Sequence, residues 1–333
     1  MILFYSRRSL STALLVVFLL SGCVPDAPRD NPYDPLGENK GVIGGWVFSF
    51  YEPRQPLEMV RVSLEPSGRV EITDSQGRFA FPGATPGSYR LVAEKTGYRP
   101  DTLTVTLQAE ENSDNRNLFL NGLPTVESSR FYSRHVDQVF PGEFYEAVFE
   151  ITVSDPDGAA DVRQVFFNIP GLGYQKSFAS NGGPGSFLLT IEDTELLVAL
   201  GGNLYLLAEN ESYLVLEDQS GARNTVGPFA LQRIIDEAPV PLYPAISDTT
   251  AARPDFRWEH PGVRFDYTFF IEIRRLVGGT FRLQDNIEGI AGDSLSFRYP
   301  ADLPAGVYTW ALGLKDNFGN STRSREVPFV VNP

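Results

Sequence analysis

The chain has 333 residues, 42% hydrophobic and 21% charged, which at roughly 100–200 residues per domain predicts two or three globular domains and excludes a chain disordered throughout or a polytopic membrane protein. Its single Cys and two His exclude an intrachain disulfide framework and all but exclude a Cys/His zinc site. The net charge of −14 opposes nucleic-acid binding, which calls for a basic patch, while 30 Gly and 25 Pro suit turn-rich β structure.

Residues 1–23 read MILFYSRRSLSTALLVVFLLSGC. Arg7 and Arg8 form a positive region, and Ala13 to Leu20 is an unbroken apolar run. As a helix that run spans about 12 Å, against a hydrocarbon core of about 30 Å. It therefore reads as the apolar region of a signal peptide rather than as a spanning helix. Leu20-Ser21-Gly22-Cys23 resembles the lipobox of bacterial lipoproteins. That resemblance implies cleavage before Cys23, a diacylated Cys23 thiol and an acylated amine. Acyl chains gain about 0.8 kcal/mol per buried CH₂, so the implied partner is the membrane, reached through the N-terminal lipid. Val24 after the cysteine implies, by analogy with the same family, sorting to the outer membrane.

Residues 23–40 follow as a tether. Pro25, Pro28, Pro32 and Pro35 are interleaved with Asp26, Asp30, Asp34 and Glu38, without apolar periodicity. Such a segment favours extended conformations of about 3.1 Å per residue. The alternative is that Tyr33 and Leu36 pack it onto the first domain.

From residue 41 the signal becomes alternation with period two, the mark of half-buried strands. In the first domain (41–121) Val60, Val62 and Leu64, then Tyr89, Leu91 and Ala93, then Leu103, Val105 and Leu107 form the apolar stripes. Asp74 and Gly77 make a tight turn between hairpin strands, after which Phe79 and Phe81 point to a core. The stretch Thr73-Asp74-Ser75-Gln76-Gly77-Arg78-Phe79-Ala80-Phe81, with Pro82-Gly83 and Pro86-Gly87-Ser88-Tyr89-Arg90-Leu91, resembles carboxypeptidase regulatory-like domains. The resemblance implies a transthyretin-like sandwich, some of whose relatives are grouped as carbohydrate-binding-like, and it implies no catalysis. The zinc carboxypeptidases linked to such domains need a His-x-x-Glu pair. Here Val-Asp-Gln follows His135 and Pro-Gly-Val follows His260.

In the second domain (122–236) Phe149, Ile151 and Val153 mark a strand that Asp155-Pro156-Asp157-Gly158 ends with turn chemistry. Val165, Phe167 and Ile169 mark the next, and further strands are expected at 187–191, 204–208, 213–217 and 225–231. Residues 192–200 read as a short helix or a strand crossing. The Val153–Gly158 stretch and the turn Asp218-Gln219-Ser220-Gly221 resemble immunoglobulin-like domains of bacterial surface proteins.

The third domain (237–333) follows a Pro-bearing linker. Tyr267, Phe269, Ile271 and Ile273 form one inward stripe, and Tyr308, Trp310, Leu312 and Leu314 another. Pro254-Asp255-Phe256-Arg257-Trp258, Gly306-Val307-Tyr308-Thr309-Trp310 and Asp316-Asn317-Phe318-Gly319-Asn320 resemble fibronectin type III modules, which implies that Trp258 and Trp310 meet in one core. Asp218-x-x-Gly221 and Asp316-x-x-Gly319 echo each other between an apolar strand and a final one.

Little chemistry is visible. Nucleophilic catalysis needs a base beside its nucleophile, yet the two histidines fall in different domains and Cys23 is assigned to the lipid. Gly171 to Ser177 lacks the Gly before Lys that a phosphate loop requires and reads as a hairpin loop. Asp155, Asp157 and Asp161 are candidate calcium ligands, although turn chemistry explains the same residues without metal. Trp46, Phe48 and Phe50 alternate and read as core, with neighbouring Tyr51 the better candidate for exposure.

The expectation is therefore an all-β chain of three β-sandwich domains in series after a cleaved signal peptide (1–22) and a Pro-rich tether. It is expected to act without catalysis or cofactor as an envelope lipoprotein, with envelope proteins or glycans as partners. The alternatives are a carbohydrate-binding accessory lipoprotein and a hydrolase with an unrecognised acidic pair.

Overall fold

The computed structural model describes residues 40–109 and 111–332. The signal peptide, Cys23 and the tether up to residue 39 lie outside the described residues. Strands dominate, and the chain forms an all-β fold of several domains. Two compact units divide it: one holds the described residues up to Thr96 together with Pro100–Leu120, the other Gly97–Arg99 and Asn121 onward.

The first unit is built from β1 (Gly41–Ser49), β2 (Arg61–Glu65), β3 (Arg69–Ile72), β4 (Arg78–Ala84), β5 (Gly87–Glu94), β7 (Asp101–Leu107) and β8 (Asn112–Gly122) up to Leu120; the last two residues of β8 and the two-residue β6 (Tyr98–Arg99), which pairs with them, belong to the second unit. One sheet runs β3-β2-β5-β7 and a second contains β4-β1-β8. Val60, Val62, Leu64, Leu91, Ala93, Val105 and Leu107 are buried, as their alternation predicts, and Phe79 and Phe81 join them. The Asp74–Gly77 turn forms, with Gly77 at φ +72° and the Asp74 carboxylate accepting from the Gln76 and Arg78 amides at 2.9 Å. It does not close a hairpin. It carries the chain from β3 in one sheet to β4 in the other, because β4 pairs with β1 rather than with β3.

The aromatic stripe of β1 corrects the sequence reading. Ile43 and Val47 face the core, so the alternate residues Trp46 and Phe48 lie half-buried on the outer face and Phe50 is 45% exposed. The strand has apolar residues on both faces, and the aliphatic face fills the interior.

The second unit opens with β9 (Thr125–Val136), β10 (Phe144–Ser154), β11 (Val162–Ile169), β12 (Tyr174–Ser177), β13 (Ala179–Ser180), β14 (Ser186–Glu192), helices α1 (Asp193–Leu200) and α2 (Tyr205–Glu209), β15 (Ser212–Asp218) and β16 (Arg223–Phe229). Sheets β13-β14-β10-β9 and β12-β11-β15-β16 enclose a core of Phe149, Ile151, Phe167, Leu189 and Leu214. Residues 192–200 resolve as helix α1, ended by Gly201 in the left-handed conformation. The strand expected at 204–208 is instead helix α2. Leu204 and Leu207 are buried and Leu206 is not, the three-residue spacing of a helical face. The hairpin expected at 171–177 forms: Pro170 to Gly173 turn the chain from β11 into β12, which holds Tyr174–Ser177.

The unit continues with β17 (Pro241–Tyr243), β18 (Thr249–Thr250), β19 (Asp255–Trp258), β20 (Tyr267–Val277), β21 (Thr280–Ala291), β22 (Ser296–Arg298), β23 (Gly306–Asp316), β24 (Ser321–Arg323) and β25 (Val327–Val331). Trp258 and Trp310 share its second core, each against a phenylalanine: Phe256 lies 4.8 Å from Trp310 and Phe269 5.1 Å from Trp258. The two cores are covered by one continuous sheet, because β24 pairs in parallel with β9. Its path runs β13-β14-β10-β9-β24-β23-β20-β21.

Candidate metal centre

Within the second unit three turns converge on a group of carboxylates. Asp155 and Asp157 come from the turn after β10, Asp161 from the 3-10 turn before β11, and Asp218 from the end of β15. One carboxylate oxygen from each of Asp155, Asp161 and Asp218 lies within 4.8 Å of the other two. The structure thus brings together two of the three acids singled out by sequence and adds Asp218. Asp157 stands beside them, its Oδ2 accepting from the Gly122 amide at 2.6 Å.

Local chemistry builds each arm. Asp155 Oδ1 accepts from the Asp157 amide at 2.8 Å, and the Asp155 carbonyl accepts from Gly158 at 2.9 Å, the hydrogen bonds of an Asx turn. Asp218 Oδ1 accepts from the Ala222 amide at 2.7 Å and the Ser220 hydroxyl at 2.8 Å. Its Oδ2 accepts from Asn121 Nδ2. The Asp161 carbonyl accepts from the Gln219 amide at 2.9 Å, which locks the two turns together. Gly122 fits because it has no side chain: a Cβ there would stand 2.6 Å from Asp155 Oδ1 and 2.9 Å from Asp157 Oδ2.

The site is buried and its charges are crowded. Asp155 is 8% exposed, Asp161 9%, Asn121 5% and Asp218 fully buried. Burial drives the Asp155 carboxyl up to about 6, and the charges of Asp161, Asp157 and Asp218 add to this against the Asp157 amide. Asp155 Oδ2 and Asn121 Oδ1 are buried and accept no hydrogen bond, a costly state for polar atoms.

The echo between Asp218-x-x-Gly221 and Asp316-x-x-Gly319 proves to be structural. In both turns the Asp amide donates to the carbonyl four residues on, and the Gly amide donates to the Asp carbonyl. In both, Oδ1 accepts the amide four residues on, Ala222 at 2.7 Å and Asn320 at 2.9 Å. Both Oδ2 atoms accept a carboxamide, Asp218 from Asn121 Nδ2 and Asp316 from Asn320 Nδ2 at 3.0 Å, and the turns differ in the charge beside it. Asp316 Oδ2 receives the Arg233 guanidinium at 2.8 Å. Among the described residues no guanidinium pairs with Asp218, and two further acids stand beside it instead. Sequence reasoning marked Asp218 only as a turn residue and passed over Asn121, although the echo itself was the signal.

The histidines form no accessible nucleophile–base pair. His135 Nδ1 meets Thr322 Oγ1 at 2.9 Å and its Nε2 meets Glu143 Oε1 at 2.8 Å. This chain resembles a catalytic relay, but Thr322 is fully buried and no substrate can reach its hydroxyl. His260 is exposed beside Tyr267.

Residues 43–120 match the carboxypeptidase regulatory-like domain family. That match covers the first unit's sandwich and leaves the carboxylate site outside it. No curated protein matches the chain. Among solved structures, the major pilin subunit of Bacillus cereus is 10% identical, with 88% of this chain and 96% of that chain covered at a TM-score of 0.29. Chicken CNTN1 FN1–FN3 domains are 10% identical, covering 89% and 96% at 0.34. The fibronectin(III)-like modules of Clostridium thermocellum CbhA are 10% identical, covering 62% and 92% at 0.28. Likenesses this distant carry nothing about what the chain does.

Proposed function

We propose that this chain is a lipid-anchored protein of the bacterial cell envelope that serves as a non-catalytic structural or binding module. The observation that carries the reading is Leu20-Ser21-Gly22-Cys23 directly after an eight-residue apolar run, with the chain's one cysteine at the modification position. Acylation at Cys23 would hold the β modules at a membrane surface, and Val24 favours the outer membrane. Rigid sandwiches offering loops and sheet faces suit adhesion, scaffolding or ligand display. Mass spectrometry of the membrane-extracted protein should find Cys23 as an acylated N-terminus, and Cys23→Ser should move the chain to the soluble fraction. A free thiol on an uncleaved or otherwise cleaved chain would sink the reading.

A second reading, binding of carbohydrate, is favoured by the outer face of β1 and β8. Phe48 and Phe119 stack at 6.4 Å, Arg54 lies over Phe119 at 4.1 Å, and Trp46 shares that face half-buried. Flat aromatic surfaces suit sugar rings. Glycan-array binding lost in Trp46→Ala would support it, and the same binding retained in that variant would discard the platform.

A further inference from the structure

We propose that Asp155, Asp161 and Asp218 bind a calcium ion in the second unit, with Asn121 as an additional oxygen ligand. The inference does not depend on the lipid anchor.

The spacing of the oxygens suits calcium. Calcium takes six to eight oxygen ligands at about 2.3–2.6 Å, so two oxygens on one ion stand at most about 5 Å apart. One oxygen from each of the three acids satisfies that limit with all the others. Two buried acceptors stand without donors. Asn121 is 95% buried by its 5% exposure, its amide lies against Asp218, and its Oδ1 has no partner. Asp155 Oδ2 is in the same condition. These atoms accept no hydrogen bond, and a cation needs only acceptors. The molecule also contains its own control. In both turns Oδ2 accepts a carboxamide, from Asn320 at Asp316 and from Asn121 at Asp218, but only the Asp316 oxygen also meets a positive charge, Arg233. Two turns with the same backbone bonding differ in whether a covalently supplied cation is present. Where the arginine is missing, two more carboxylates are added. A divalent ion satisfies that exchange, because it neutralises more than one acid.

Bound there, the ion would tie Asn121, the turn after β10, the 3-10 turn and the β15–β16 turn to one centre. It would convert mutual repulsion into a cross-link among segments far apart in sequence. Oxygen-only ligation and the absence of Cys or His among these residues select a hard cation over zinc or copper. A rigid octahedron at 2.0–2.1 Å with several retained waters, the preference of magnesium, suits a buried four-arm site less well.

The test uses the full chain in detergent, stripped with chelator. Calcium should give saturable heat in isothermal titration, at an affinity of roughly 10⁻⁴–10⁻³ M or tighter, and should raise the melting temperature by several degrees, about the size of a ligand well above its dissociation constant. Magnesium at equal concentration should do much less. Terbium locates the ion: Tyr98, which pairs with Gly122 and feels the charges of Asp157 and Asp155, should sensitise its emission, calcium should quench that signal, and Tyr98→Phe should remove most of it. Asp155→Asn with Asp161→Asn should weaken calcium binding at least tenfold and, in chelator, melt no lower than the parent, because it removes repulsion. No heat and no melting shift in the parent chain would overturn the proposal even if the variants fail to fold. So would an equal response to magnesium, or calcium binding undiminished in the double variant.

Discussion

His135 on β9 and Thr322 on β24 meet side chain to side chain at 2.9 Å, although 187 positions separate them. Around this bond β9 and β24 run in parallel register, Arg134 opposite Ser321 and Val136 opposite Arg323. The Asn320 carboxamide oxygen accepts from the Ser133 amide at 2.9 Å, and the Arg323 carbonyl accepts from the Asp137 amide at 3.0 Å. The His135 ring stacks on Tyr145 at 4.1 Å, which fixes its orientation. Thr322→Val keeps the shape and removes the hydroxyl, leaving a buried imidazole nitrogen without its partner. The expected cost is about 1–3 kcal/mol by urea unfolding. Both cores of the second unit should lose stability together, seen as one shifted transition by tryptophan fluorescence and circular dichroism.

Arg233 is expected to matter well beyond its partial exposure. It holds Asp316, whose side chain is 1% exposed, and lies over Phe265 at 3.9 Å. Arg233→Ala leaves a buried carboxylate unpaired and should cost about 2–4 kcal/mol. Asp316→Asn added to it should recover part of the loss, since the amide oxygen still caps the turn. Equal losses in the single and double variants would show that the charge is not the issue.

The two faces of β1 should respond differently. Ile43 is fully buried, so Ile43→Ala should cost about 2–5 kcal/mol. Trp46→Ala on the outer face should cost no more than about 1 kcal/mol, with the thermal transition near that of the parent.

Glu195 supplies a pH dependence. Burial pushes its carboxyl up, but hydrogen bonds from Lys176 and Tyr174 and the Lys176 charge outweigh that and hold it below the usual glutamate range. A carboxyl lowered in the folded state adds stability above its unfolded pKa of about 4.3, and this is lost as pH falls through the folded value. The pair is partly exposed, Lys176 at 29% and Glu195 at 37%, so the contribution at pH 7 is no more than about 1 kcal/mol. Glu195→Gln should show that deficit at pH 7 in urea titrations. The gap should close at pH values below the usual glutamate range, and a constant gap across pH would exclude the ionic origin.

Strand positions were readable wherever one face is apolar and the other polar. Phe149, Ile151 and Val153 announce β10 because Glu150, Thr152 and Ser154 alternate with them. The signal failed where both faces are apolar or where a short run suits two periods. Trp46 and Phe48 are the larger side chains of β1, but size does not say which face is inside. Leu204, Leu206 and Leu207 satisfy a strand and a helix equally until neighbouring turns decide. β23 gave its inward stripe correctly and hid that Thr309 and Ala311 are buried as well. At the carboxylate site the turn sequence revealed Asp155 and Asp161. Asp218 and Asn121 reach it only through tertiary folding, from positions 97 residues apart.

The shared sheet also governs how the chain can be dissected. A cut in the Pro-bearing linker near residue 236 passes through a stretch of sequence that looks like a natural boundary. It would nevertheless part β9 from β24 and leave each fragment with a raw strand edge carrying unpaired amides and carbonyls. Such edges recruit other strands, so the separated halves should self-associate or precipitate where the intact second unit stays in solution.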